Sequence, residues 1–191
     1  MGLDMSLDGV FGKKAYYQED RTVPREDPVQ SESLKLALAS IDFPDYVPLD
    51  FSYRHFEVSL PVASWRKSNQ IHNYIVNEFG KGIDDCKPIQ LFDDQLGQLL
   101  DVIRKVGTDP QIAAKLLPPC SGFFFGSQEI DKYYWQDLAY TKDTLEKVLE
   151  YQKVQAHAYK EAELKEYQKP MEERTFPEPK SFDHFMYQAS W

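Results

Sequence analysis

The stretch LDMSLDGVF, residues 3–11, alternates Leu3, Met5 and Leu7 with Asp4, Ser6 and Asp8. Successive side chains of a strand point to opposite faces, so a period of two predicts a half-buried β-strand with one apolar side. That strand needs partners. SYRHFEVSLPVAS, residues 52–64, resumes the alternation through Phe56, Val58 and Leu60, with Pro61 closing the strand or marking a sheet edge. KPIQLF, residues 87–92, reads as a further strand. SGFFFGS, residues 121–127, places three phenylalanines between Gly122 and Gly126 and reads as an inner strand buried on both faces.

Between these strands the period changes to that of a helix. In SWRKSNQIHNYIVNEFG, residues 64–80, Ser64 suits an N-cap, and Trp65, Ser68, His72, Val76 and Phe79 recur three or four residues apart. Gly80 and Gly82 end it. DDQLGQLLDVIRKVG follows, capped by Asp93, with Leu96, Leu99, Leu100, Ile103 and Val106 facing inward. Asp109 and Pro110 open a short helix that stops at LLPPC. From Asp131 a longer helix carries Tyr134, Leu138, Thr141, Leu145, Val148 and then Gln152 inward; from Gln155 to Lys169 the pattern is polar all round.

The order of elements predicts an α+β domain: a small, largely antiparallel sheet packed against three to four helices, with a long C-terminal helix plus an extended tail. Residues 1–154 are expected to form this single domain. An irregular insertion at about 12–50 interrupts it: residues 15–33 read as loop, SESLKLALASI as a short helix begun at Ser31 or Ser33, and FPDYVPLDF as irregular because of Pro44 and Pro48. Residues 155–191 are expected to add a polar helical extension and an aromatic, proline-containing tail that docks but does not fold alone.

Composition narrows function. Among 191 residues, 31 acids face 22 bases for a formal charge of −9, with the excess in the two ends and a middle close to neutral. Such a balance disfavours direct nucleic-acid binding through the phosphate backbone, although an acidic surface also suits nucleic-acid mimicry or a basic partner. Cys86 and Cys120 have no CxxC spacing, so no metal site, cofactor or disulfide framework is expected. MGLDMSLDGVFGKK has no charged start followed by an apolar run, and no stretch is long and apolar enough to span a bilayer. Gly2 and Ser6 fit the loose myristoylation pattern, but without a polybasic patch beside them. The cytoplasm and no membrane are the expected setting.

Two readings compete at residues 65–86. In the functional one His72 acts as acid, base or ligand while Arg66 or Lys67 holds an anion near a helix N-terminus, and Asp84, Asp85 and Cys86 supply a carboxylate or thiol from the next loop. Arg66, Asn69 or Gln70, and Asn73 would share one helix face, with Trp65, Ser68 and His72 on its neighbour. In the structural reading Trp65 and His72 edge the core and the aspartates hold their own turn. Cys120 and Ser121 sit beside glycines without a GxSxG elbow or a Walker pattern. Tyr133, Tyr134, Trp135 and Tyr140 suit either stacking on a ligand or the core rim.

MGLDM, WRKSNQIHNYIV, DDC and LPPCSGFFFGSQEIDKYYWQDLAYT together resemble the motifs of a family of uncharacterised phage and prophage proteins. The resemblance covers residues 1–10 and about 55–150. It implies a phage origin, hence the host cytoplasm, and one compact domain in which Trp65, Arg66, Lys67, Asn69, His72, Asp84, Asp85 and Cys86 form a shared polar set. It supplies no activity, and the chain departs from it at about 12–48 and beyond about 154. The expectation is a phage accessory protein that binds a host or phage protein, through Trp65, Lys67, Asn69 and Asn73 or through Tyr159, Phe182, Phe185, Tyr187 and Trp191, and inhibits a defence or replication factor. The alternatives are a small enzyme acting on a nucleotide or other anionic small molecule through residues 65–86, and a minor virion component.

Overall fold

The computed structural model describes residues 2–14, 55–122, 124–175 and 180–191. The chain divides into two units, residues 1–11 with 59–191, and residues 12–58. The second lies almost wholly outside the described residues, and with it the loop at 15–33, the helix expected from Ser31 or Ser33 and the irregular stretch at Pro44 and Pro48.

Among the described residues the elements run β1 (Asp4–Lys14), β2 (His55–Arg66), α1 (Asn69–Glu78), β3 (Ile89–Leu91), α2 (Asp93–Val106), α3 (Pro110–Leu116), α4 (Lys132–Tyr167) and β4 (His184–Ser190). The fold is α+β. The four strands form one sheet in the order β2-β1-β4-β3. β4 runs antiparallel to both neighbours, with Leu7 opposite Tyr187 on one side and Ile89 opposite Tyr187 on the other. One face presents Leu3, Met5, Leu7, Ala63, Trp65, Leu91, Phe185, Tyr187 and Ala189 to the core, where they meet Ile71 and Ile75 of α1 and the apolar stripes of α2 and α4. β2 is an edge strand and Pro61 lies within it, where a missing N–H costs least.

The helical stripes bury as their periods require: Leu96, Leu99, Leu100, Ile103 and Val106 on α2, and Tyr134, Leu138, Thr141, Leu145, Val148 and Gln152 on α4. Asp109 caps α3, its carboxylate accepting from the amides of Gln111 and Ile112, and Asp131 caps α4 in the same way through Tyr133 and Tyr134.

Four expectations are corrected. First, no helix begins at Ser64. β2 continues through Trp65 and Arg66 with Ala63 and Trp65 inward, Lys67 turns the chain at φ 62°, and α1 starts at Asn69. Arg66 and Asn69 therefore do not share a helix face. Second, Asp93 is the first helical residue of α2 rather than its cap; the Phe92 amide donates to the Gln95 side chain at 2.9 Å, closing that end.

Third, none of the described residues of SGFFFGS lies in a strand. The Phe125 amide donates to Gly122 O in a turn, and the Phe125 ring folds back over Gly122, where a Cβ would come within 2.5 Å of it. Fourth, residues 184–190 are no docking tail but β4, held between β1 and β3, with Phe185 and Tyr187 among the most deeply buried side chains.

Candidate functional site

The set proposed at residues 65–86 separates into three places. The first is a relay from the buried His72 and Tyr187 to the partly exposed Asp84. His72, on the inner face of α1, is 2% exposed. Its Nδ1 lies 2.8 Å from the Tyr187 hydroxyl and its Nε2 lies 3.1 Å from Asp84 Oδ2. A carboxylate only accepts, so Nε2 is the donor to Asp84, and Nδ1 and the Tyr187 hydroxyl share the second hydrogen bond. Burial first, and then the nearby Asp84 and Cys120, push the Tyr187 hydroxyl well above its ordinary pKa, so it stays protonated. Phe125 and Trp191 stand edge-on to the imidazole at 5.2 and 5.6 Å.

Asp–His–Tyr is a chemistry that moves protons; here His72 and Tyr187 are buried while the Asp84 end, 34% exposed, reaches the surface. The void beside it, bordered by Ile83, Asp85 and Trp191, has a volume of about 10 Å³, the space of a single water. What the relay does is connect three elements: α1 through His72, β4 through Tyr187 and the 83–86 loop through Asp84. Asp85 and Cys86 are not part of it. Asp85 accepts from the Lys87 amide at 3.2 Å and from its ammonium at 2.6 Å, which holds that carboxyl below its usual range, and Cys86 is an exposed turn residue at φ 61°.

The second place is a bracket centred on Asn69. Its Nδ2 donates to Phe125 O at 2.9 Å and Ser127 O at 2.8 Å, and its Oδ1 accepts from the Cys120 amide at 3.1 Å. One buried side chain thus satisfies the backbone of the loop that was expected to be a strand, which explains why that loop needs no sheet partner. Cys120 donates its thiol to Asn69 O at 3.4 Å, and burial, helped by Asp84, pushes that thiol up to about 11. It is no nucleophile at neutral pH. Asn73 likewise serves structure, donating to Pro118 O and accepting from Asn77.

The third place is open. Arg66, Lys67 and Gln70 border a cleft of about 260 Å³ whose other lining comes from residues 126–131 and from Tyr133, Tyr134 and Asp137 of α4. Gln70 Nε2 reaches Asp137 Oδ2 at 3.4 Å, a long bond, and burial raises the Asp137 carboxyl above its ordinary pKa against the opposing pull of Ser68 and Gln70. The Ser68 hydroxyl is fully buried and forms no well-aligned hydrogen bond. Arg66 pairs with Asp4 at 3.5 Å on the surface. Trp65 stays inside, donating its indole N–H to Thr141 at 2.8 Å.

Residue spacing had no means of finding Asp137, Ser127 or Tyr187 as neighbours of this region, since they come from 50 to more than 100 positions away. The helical period of α4 did mark Tyr134 and Leu138, and thereby the face on which Asp137 lies. Of the aromatic residues expected to dock a partner, Phe185 and Tyr187 are core, Phe182 packs on Tyr151 and Phe185, Trp191 covers His72, and Tyr159 is half-buried on α4. Among the described residues, no helix is long and apolar enough to cross a membrane, and no three His, Cys, Asp or Glu side chains converge as metal ligands. Neither a protein-family model, a curated protein nor a solved structure matches the chain.

Proposed function

We propose that this is a phage-encoded accessory protein that works in the host cytoplasm by holding another protein, in the manner of an inhibitor of a defence or replication factor. One observation carries the reading. α4 runs for 36 residues, yet its last buried side chain is Gln152; beyond it Val154 and Leu164 are 50% and 63% exposed, and Met171, in the short turn that follows α4, is 81% exposed. A helix that outruns its own core and carries large apolar side chains in water suits a partner with an apolar groove. The His72 relay supports the same direction, because the void beside it holds about one water and leaves no space for a substrate against the imidazole.

Truncation is the wrong test, since removing residues 155–191 also removes β4. Leu164→Asp and Met171→Asp change exposed positions and should leave the fold intact. Affinity purification of tagged wild-type and doubly substituted protein from infected cells should yield a stoichiometric partner with the first and not the second. With that partner purified, affinity should fall roughly 30-fold, the equivalent of about 2 kcal/mol at an interface anchor. Equal recovery by both proteins would remove the helix extension from the reading, and recovery only with phage particles would favour a virion component.

A further inference from the structure

The open cleft between the β2–α1 junction and the start of α4 has the features of a ligand site independent of the far end of α4. Arg66 pairs with Asp4 at the surface, but among the described residues two other charges of the lining lack a partner of opposite sign. Lys67 forms no ion pair and Asp137 has no cationic partner among the described residues. Asp137 is half-buried and meets only the neutral Gln70 amide at 3.4 Å and the Ser68 hydroxyl beside it. A carboxylate withdrawn from water without counter-charge costs stability, so an asparagine would serve a purely structural role better.

Lys67 is likewise held against local preference. It adopts the left-handed region at φ 62°, where a non-glycine residue costs about 1–3 kcal/mol. Its stem passes over Gly126, where an added Cβ would come within 3.1 Å of Lys67 Cβ. The backbone thus brings a cationic side chain to the mouth of the cleft. Asp131 is occupied in capping α4, and Glu129 adds one more exposed carboxylate.

With two cations against three carboxylates, the lining has a formal charge of −1 and repels polyanions such as nucleic-acid backbones or triphosphates. It complements instead a molecule with both kinds of end. We infer that this cleft binds a small dipolar ligand, its carboxylate or phosphate held by Arg66 and Lys67 and its ammonium or base amino N–H donors held by Asp137, with the exposed Tyr133 ring alongside. A volume of about 260 Å³ is below that of sites for drug-sized molecules, which limits the ligand to the scale of an amino acid or a nucleoside monophosphate.

Isothermal titration calorimetry on the full chain separates these two sources of the same chemistry. One arm uses arginine, glutamine and glutamate; the other uses AMP, GMP and CMP, with inorganic phosphate beside them. One arm should saturate with wild-type protein and weaken about tenfold with Lys67→Ala and with Asp137→Asn, the scale of one lost charge-assisted contact. Lys105→Ala, on exposed α2 surface, should change nothing. Because Asp137 is half-buried, Tyr133→Ala at a 61% exposed position gives a second variant that should fold and bind less tightly. Absence of binding in both arms at millimolar ligand, phosphate alone binding as well as the nucleotides, or equal binding by wild type and all three cleft variants would each overturn the inference.

Discussion

At the scale of single residues the molecule turns on side chains that hold backbone or each other rather than substrate. His72 is the clearest. Tyr187→Phe keeps the ring in the core but takes away the hydroxyl that meets His72 Nδ1, leaving a buried ring nitrogen without its partner. Such an orphan costs about 1–3 kcal/mol, and the variant should show a lower urea midpoint with an unchanged m-value. A variant as stable as wild type would mean that the relay contributes nothing to the fold. Asn69 has a similar standing: its amide occupies both of its donors and its oxygen on the 120–127 loop, so no side-chain group is left to address a ligand. None of this was open to a reading of spacing. Asn69 and His72 stand in the sequence among polar neighbours and look like a site because their partners, Phe125, Ser127 and Tyr187, are distant along the chain.

At the scale of elements, the sequence is most readable where the information is local. The stripes of α2 and α4 bury residue for residue because helical amphipathicity lies within a few turns. The boundary between β2 and α1 is harder, since Trp65 fits a period of two with Ala63 and also a helical period with Ser68 and His72. Only the turn at Lys67 decides between them. β4 was obscured for a different reason. HFMYQAS alternates Phe185, Tyr187 and Ala189 with polar or intermediate residues, but it follows a proline-containing stretch whose composition suggests a tail. A chain ending before Lys180 should therefore lose cooperative unfolding, because β3 is cut from the sheet and β1 keeps only β2 beside it. Circular dichroism with thermal melting checks this, and a sharp transition in the truncated chain would contradict the role given to β4.

At the scale of the whole molecule, the half-buried Asp137 affects stability through pH. Burial raises its folded pKa above the ordinary 3.8, so the folded state holds this proton more tightly than the unfolded one. Its contribution is fully present at low pH and is lost as pH rises through the folded value. Asp137→Asn should therefore be more stable than wild type at neutral pH, with the difference closing as pH falls below the ordinary carboxylate value. Denaturant titrations of the two proteins at several pH values measure it, and a gap that widens in acid would reverse the sign. The strand order has a consequence of its own for how the chain is made. Among the described residues β3 has no sheet neighbour except β4, and β4 is made after every other strand of that sheet. Until residues 184–190 have cleared the exit tunnel, the nascent chain has to keep β1 and the apolar stripes of α2 and α4 without a closed sheet beneath them, which makes this the interval in which a chaperone would matter most.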